Sequence, residues 1–490
     1  MLKKIALCAV ALLIFPHLYA QLEKAAFTEA GRGAVNAFAT DYQCLGINPA
    51  NMAYGNRFDR KAMAGFAQWS FSNYGEGFTR SEILDIFRGP GDELSMQEQV
   101  NAASRFANSA VALDLSVLLA GFSLSTERAG HFAFSIGARV THFSRFNANA
   151  ASQLWQGFVD PYFDQWVVPQ PGGGTMTIPN GGPNSPLVQD VIVGIASNPQ
   201  SITSLYDGSE VRTMGYMEYQ VGYSNTLYRG VDVAIHGGIG IKYLQGHFLL
   251  DIAVEDQQLT RAFMAHTPII DFDFGEAART NPSAVSGSGL RPVGDGWGVD
   301  LGMAMEIGEK WRVSASVTDI GSITFDGNVY TVRDTLIFDT ETTGISSFDP
   351  TDQLDAFSGR DGLFPWEGVA SRSFNLPTQL RLGFGYLLSD RLQFGLDVAL
   401  PFNDNPGNIE RLGFAAGMDY IPSELIRLSG GIAAGDNYGF RVPLGINFSV
   451  GEGAWEFGVA TRDALFYIRD DRPNISLAMG FLRFRFGEML

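Results

Sequence analysis

Residues 380–399 read LRLGFGYLLSDRLQFGLDVA, and their pattern decides the fold. Leu380, Leu382, Phe384 and Tyr386 alternate with Arg381, Gly383 and Gly385; beyond Ser389-Asp390, Leu392, Phe394, Leu396 and Val398 alternate with Gln393, Gly395, Asp397 and Ala399. Strand side chains repeat every two residues, so the stretch predicts a hairpin with one apolar face and one small or polar face. A soluble sandwich turns such apolar faces into a shared core, whereas a membrane barrel turns them to lipid and needs only about 9–11 residues per crossing.

Working outward, the alternation recurs along the whole chain. Met63, Ala67, Trp69 and Phe71 share a face opposite Gln68 and Ser70; Val111, Leu113, Leu115, Val117 and Leu119 oppose Asp114 and Ser116; Phe132, Phe134, Ile136 and Val140 oppose Ser135, Arg139 and Thr141. Three further strands follow, with apolar faces Met217–Tyr223, Val231–Tyr243 and Phe248–Val254, and then a pair, Trp297–Met305 with Trp311–Val317. Five more are expected around 410–420, 425–434, 440–450, 454–462 and 474–486, the last changing face near Phe481-Leu482, which predicts a bulge. Short connections at 308–310, 388–390 and 421–424 alternate with insertions at 79–107, 147–213, 265–295 and 326–373. Short turns at one rim and long loops at the other mark a barrel.

Composition agrees. Hydrophobic residues make up 46% of the 490 residues, yet the mean hydropathy is only +0.03, as expected where every second residue meets lipid. The net charge of −18 argues against nucleic acid as a partner. Met1-Leu2-Lys3-Lys4, an apolar run from Ile5 to about Pro16 and Leu18-Tyr19-Ala20 read as a secretory signal peptide, residues 1–20, cleaved after Ala20. Cys44 is then the only cysteine left, and no later window is long and apolar enough for a spanning helix.

Residues 21–58 lack the alternation, and their Ala, Gly and Asn content suits either a plug folded into a lumen or a flexible leader. Pro49 fixes its φ and pushes Asn48 to an extended backbone, while Asn48 and Asn51 are placed to bond nearby backbone groups, so Asn48-Pro49-Ala50-Asn51 predicts a rigid turn. Residues 79–107 suit two short amphipathic helices capped by Ser81 or Ser95. A second helical patch, 149–165, carries Leu154, Trp155, Phe158, Tyr162, Phe163 and Trp166, at the membrane surface, over the pore, or as the core of a folded loop. Residues 167–213, rich in Pro, Gly, Asn and Ser, read as surface loop.

Gly46-Ile47-Asn48-Pro49-Ala50-Asn51-Met52 behind Gly31-Arg32-Gly33-Ala34-Val35, with Asn375-Leu376-Pro377-Thr378 leading into the 380–399 hairpin, resembles the long-chain fatty acid transporter family of outer-membrane proteins. Gly298–Gly302 and Val317–Gly321 resemble strand pairs of its Bacteroidetes relatives, including DUF5723-type proteins and the shuttle subunit of the type IX secretion system. The resemblance implies an all-β fold: a transmembrane antiparallel β-barrel of about 14 strands over residues 59–490, with residues 21–58 as an N-terminal hatch and short helices in the loops. It implies Asn48, Pro49, Ala50 and Asn51 as the hatch motif, and Trp155, Phe158, Tyr162 and Phe163 as aromatics that capture a greasy ligand.

No catalytic constellation stands out. The six histidines form no metal-binding motif, there is no Gly-x-Ser-x-Gly, and the acidic run Asp349, Asp352, Asp355 and Asp361 lacks calcium-loop spacing. The chain is thus read as a non-enzymatic barrel of the Gram-negative outer membrane, without cofactor, in contact with lipid. The leading expectation is passive uptake of a hydrophobic small molecule through a hatch-closed barrel. The alternatives are a barrel that docks proteins of a secretion or surface-anchoring machinery, and a water-filled porin, which a hatch would obstruct.

Overall fold

The computed structural model describes residues 26–54, 60–86, 93–126, 128–270, 272, 274–346, 364–409, 411–435, 439–469 and 474–488. The expected signal peptide with its cleavage site, and the acidic run from Asp349 to Asp361, lie outside these residues.

Fourteen antiparallel strands form a closed barrel. In chain order they are β1 (Arg60–Gly75), β2 (Ala110–Thr126), β3 (Gly130–Arg145), β4 (Glu210–Arg229), β5 (Val233–Glu255), β6 (Gly294–Ile307), β7 (Trp311–Phe325), β8 (Gln379–Ser389), β9 (Leu392–Pro401), β10 (Gly413–Ser423), β11 (Ile426–Ala434), β12 (Leu444–Val450), β13 (Trp455–Thr461) and β14 (Asn474–Glu488). Each pairs with the next, and β14 pairs with β1 from Arg60↔Glu488 to Tyr74↔Asn474, so the sheet has no free edge. The 380–399 hairpin forms as β8 and β9, in register from Leu380↔Leu400 to Tyr386↔Phe394.

Alternation sorts the two faces. Every strand sends large apolar side chains outward, such as Phe134, Val221, Leu396 and Ile432, of which Val221 is 57% exposed. Inward come Ser70, Asp114, Arg139, Lys242, Asp300, Asp397, Asp419 and Arg483, all buried. Trp311 packs tilted against Tyr386, ring centroids 4.2 Å apart, near the short turns, and Trp297 lies 5.0 Å from Tyr243 towards the long loops. About ten residues of tilted strand separate these aromatic levels, roughly the 25 Å height of an apolar band with its girdles.

Of three bulges in the wall, two revise the sequence reading and the third was expected. Ala67 sits at φ 49°, unpaired between Phe66 and Gln68, so Met63 and Gly65 face inward before it while Gln68 and Ser70 do so after it. Met63 and Trp69 therefore lie on opposite faces. Val233–Glu255 is one strand rather than two, with His247 as the extra residue opposite Gly215 and Tyr216. At the expected place in β14, Phe481 and Leu482 both point outward, and Trp455 Nε1 donates to the Phe481 carbonyl at 2.7 Å.

The long loops fold into an outer lobe. The upper half of β5 continues through Gln258–His266, Val329–Val332 and Trp366–Gly368 as a ladder rising above the barrel. A separate four-stranded sheet has the order Leu336–Thr340, Val193–Ser201, Gln165–Pro169, Thr175–Pro179, so 167–213 is not plain surface loop. Its Gly172, Gly173 and Gly174 take positive φ at a hairpin tip. Leu250, Ile252 and Val254, expected on the lipid face, bury instead against Met264, Tyr330, Ile202 and Ile337, each contributing about 1.5–3 kcal/mol. Helix α1 (Phe27–Ala30) precedes the barrel, α2 (Arg80–Ile86) and α3 (Met96–Phe106) lie between β1 and β2, and α4 (Ala148–Gln156) follows β3. Ser95 and Glu98 form a capping box on α3.

Candidate functional site

Residues 26–54 lie within the barrel, bonded to strands from β1 round to β14. Asn48 takes the extended backbone that Pro49 demands, and its Oδ1 accepts from Ala50 N at 3.0 Å. Its Nδ2 donates to the carbonyls of Met303 on β6 (3.0 Å) and Ala315 on β7 (3.3 Å). Asn51 Nδ2 donates to Ala39 O at 3.1 Å, folding the segment on itself. Ser224 and Ser316 donate to the carbonyls of Ala50 and Ile47. Gly238 and Gly302 face this turn so closely that a Cβ on either would strike Ala50 or Asn48. The wall is thus cut to the shape of the turn.

On the short-turn side, ion pairs fasten the segment. Arg32, its guanidinium 3.7 Å from the Phe38 ring, pairs with Glu29 and with Asp419 of β10. Arg427 of β11 reaches Glu29 at 3.2 Å, and Arg483 of β14 pairs with Asp41 and with Glu456 of β13, which also meets Arg485 at 2.6 Å. Asp397 of β9 accepts from the backbone N–H groups of Val35 and Asn36. Glu29, Arg32, Arg427, Glu456, Arg483 and Arg485 border a vestibule of about 890 Å³ at the short-turn rim. Buried charges are tolerable only when paired, and each partner removed here would leave an opposite charge exposed to low dielectric.

On the other side the N-terminal segment and the wall enclose a smaller cavity of about 100 Å³, with Tyr42, Leu45 and Ile47 facing Ser135, Arg139, Glu218 and Gln220. Further out, the connection between β9 and β10, FNDNPGNI at 402–409, crosses the lumen. Asn408 N bonds to Asn405 O at 2.9 Å, with Pro406 and Gly407 (φ 87°) between them, as a type II turn requires. The turn's tip lies against β3 and β4, far round the wall: a Cβ on Gly407 would be 3.3 Å from Thr141 Oγ1 and 3.6 Å from Met214 Cε. Arg212 of β4 donates to Asp404 O at 2.7 Å, and Arg261 pairs with the Asp404 carboxylate. On the opposite face of β4 and β5, under the lobe, an apolar pocket of about 20 Å³ is lined by Phe146, Leu154, Tyr206, Val211, Ile252 and Phe364.

The four aromatics expected to capture a ligand, Trp155, Phe158, Tyr162 and Phe163, do not converge on one site. Trp155 stacks on Phe106 (5.1 Å), Phe158 packs with Trp166, Val168 and Val188, and Phe163 joins the main core of the lobe. Tyr162 Oη donates to Ile337 O at 2.8 Å. Of the 149–165 patch, Ala150 and Leu154 reach the apolar pocket. The strap went unread, although Asn-Asp-Asn-Pro-Gly-Asn is strong turn chemistry. Among the described residues no group of three or more His, Cys, Asp or Glu side chains is placed to hold a metal ion.

No curated protein matches the chain. Among solved structures, the Pseudomonas putida toluene transporter TodX is 10% identical, covering 95% of this chain and 98% of its own, with a TM-score of 0.43. The Ralstonia pickettii toluene transporter TbuX is 12% identical over 95% and 99%, TM-score 0.42. A Pseudomonas aeruginosa FadL homologue is 11% identical over 96% and 100%, TM-score 0.41. The model of one family matches residues 187–461, more than half of the chain, and the protein belongs to it: Family of unknown function (DUF5723).

Proposed function

We propose that the chain is an outer-membrane barrel, exported by a signal peptide, that takes up a hydrophobic small molecule passively, with residues 21–58 as its hatch and Asn48-Pro49-Ala50-Asn51 as the hatch's rigid turn. The observation that carries this reading is the set of spaces on the two faces of β4. Val211 lines the apolar pocket on the face covered by the lobe, while Met214 meets the strap and Glu218 and Gln220 line the cavity beside the N-terminal segment on the lumen face. An apolar solute gains about 0.8 kcal/mol per buried CH₂ against a lining of this kind, so capture at the outer surface becomes favourable once the pocket, water-sized at about 20 Å³, widens to admit it. The toluene-transporter names of the similar structures agree with a hydrophobic cargo.

Tryptophan fluorescence tests it. Trp366 shares the lobe's core with the pocket-lining Tyr206, Val211, Ile252 and Val254. Titrating purified protein with toluene and with decanoate gives saturable quenching with at least one probe, abolished by Val211→Arg. Quenching that rises linearly with both probes and ignores the substitution would refute capture in this pocket.

A second reading, a barrel that docks partner proteins, is favoured by one feature. Thr175–Pro179 and Leu336–Thr340 end the outer sheet without a further strand among the described residues, and Met176, Leu336 and Phe338 are exposed beside them.

A further inference from the structure

We infer that the strap at 402–409 is the outer gate of the lumen, hinged at its base on β9 and β10 and latched at its tip by Asp404 to Arg261 and Arg212. This deepens the uptake reading and rests on it for the identity of what passes.

The base is held by buried contacts. Ile409, fully buried, packs with Ala399, Ala415 and Ala433. Asn408 accepts from Gln379 Nε2 at 2.9 Å and donates to Asn403 O at 2.7 Å and Thr378 O at 3.2 Å, while Asn403 donates to Leu376 O at 2.8 Å. Swinging the base would strand several of these polar groups without partners. The tip is different. The Asp404 side chain is 69% exposed, so its ion pair is screened by salt and holds weakly. At Gly407 a Cβ would lie 3.3–3.6 Å from Thr141, Met214 and Pro377. Opening therefore begins at Asp404 and leaves the base in place.

Position gives the latch its consequence. Arg261 also meets Asp251 at 3.1 Å and Glu210 at 3.5 Å, and Arg212 meets Glu210 at 3.1 Å. Glu210 itself lines the apolar pocket. Glu210 thus joins that pocket to the two arginines that hold Asp404. When the tip lifts, the next space inward along β3 and β4 is the cavity lined by Ser135, Arg139 and Glu218.

Thiol accessibility tests the gate without any ligand. In cells displaying the full chain with Cys44→Ala and Ser135→Cys, the labelling rate with an impermeant methanethiosulfonate added outside is measured with the strap intact, with Asp404→Ala, and with residues 403–408 replaced by two glycines. Barrel folding of each is checked by heat-modifiable gel mobility. We expect a rate at least tenfold higher in both strap variants, and an intact-strap rate that climbs with added salt. Equal rates in all three folded proteins would overturn the gate; should Asp404→Ala fail to fold, the shortened strap decides alone. Faster labelling without saturable probe binding would sink the uptake reading and leave the gate standing, and the reverse pattern would sink only the gate.

Discussion

Asp397, at the centre of β9, accepts from the backbone N–H of Asn36 at 2.8 Å, and the same oxygen accepts from Val35. A carboxylate of the wall thus substitutes for the backbone carbonyls that a helix or strand would have offered this irregular segment. Asp397→Ala leaves two buried N–H groups without an acceptor, an expected loss of about 2–3 kcal/mol of hatch docking. Limited proteolysis in detergent checks this: cleavage between residues 26 and 54 becomes faster while the barrel core stays resistant. An unchanged cleavage rate would mean that Asp397 does not anchor the segment.

Glu456 receives Arg483 and Arg485 and lies 3.7 Å from Arg427. Glu456→Gln keeps the shape and removes the charge, leaving three guanidinium groups short of a counter-charge. Removing one partner of a buried pair costs about 3–5 kcal/mol, so the midpoint of thermal unfolding in detergent should fall by several degrees. A midpoint unmoved by the substitution would show that solvent in the vestibule already screens these charges.

Gly238 faces Ala50, and a valine there has no room while the N-terminal segment stays in place. Gly238→Val should raise the conductance of the protein in planar bilayers by displacing the segment, and deleting residues 26–54 should raise it further. A silent bilayer with both variants would contradict a lumen closed by this segment.

Much of this was legible in the chain. The 380–399 hairpin, the inward polar residues, the alternation of short turns with long loops and the Phe481-Leu482 bulge follow from a period of two residues. What escaped was set by tertiary contacts. Nothing in the sequence marks Ala67, a residue with no preference for positive φ, as the place where β1 changes face. His247 is likewise extra only because Gly215 and Tyr216 are already paired across it. Leu250, Ile252 and Val254 alternate like lipid-facing residues, and only the lobe folded over them makes them core. The 402–409 turn could be read as a turn, but its destination across the lumen depends on Arg212 and Arg261, far away in sequence.

In the outer lobe, α2 and α3 are joined by Arg105, which meets Glu82 at 2.8 Å. Burial alone would raise the Glu82 carboxyl, but hydrogen bonds from Arg105 and Thr79 outweigh it and hold the group below its ordinary value of 4.5. A lowered folded value means that the pair contributes stability above about pH 4.5, which is lost as pH falls through the lower folded value. Acid should therefore loosen these helices before the barrel. Hydrogen exchange over residues 80–106 between pH 6 and pH 3 should accelerate in the wild type beyond the intrinsic pH trend, and much less in Glu82→Gln.

The uptake of a hydrophobic molecule is tested most directly by what the protein holds. Native mass spectrometry of the detergent-purified chain, followed by extraction and identification of bound compounds, should reveal one defined hydrophobic species in stoichiometric amount. An empty barrel that co-purifies with a second protein would contradict the uptake reading and make the chain a docking partner.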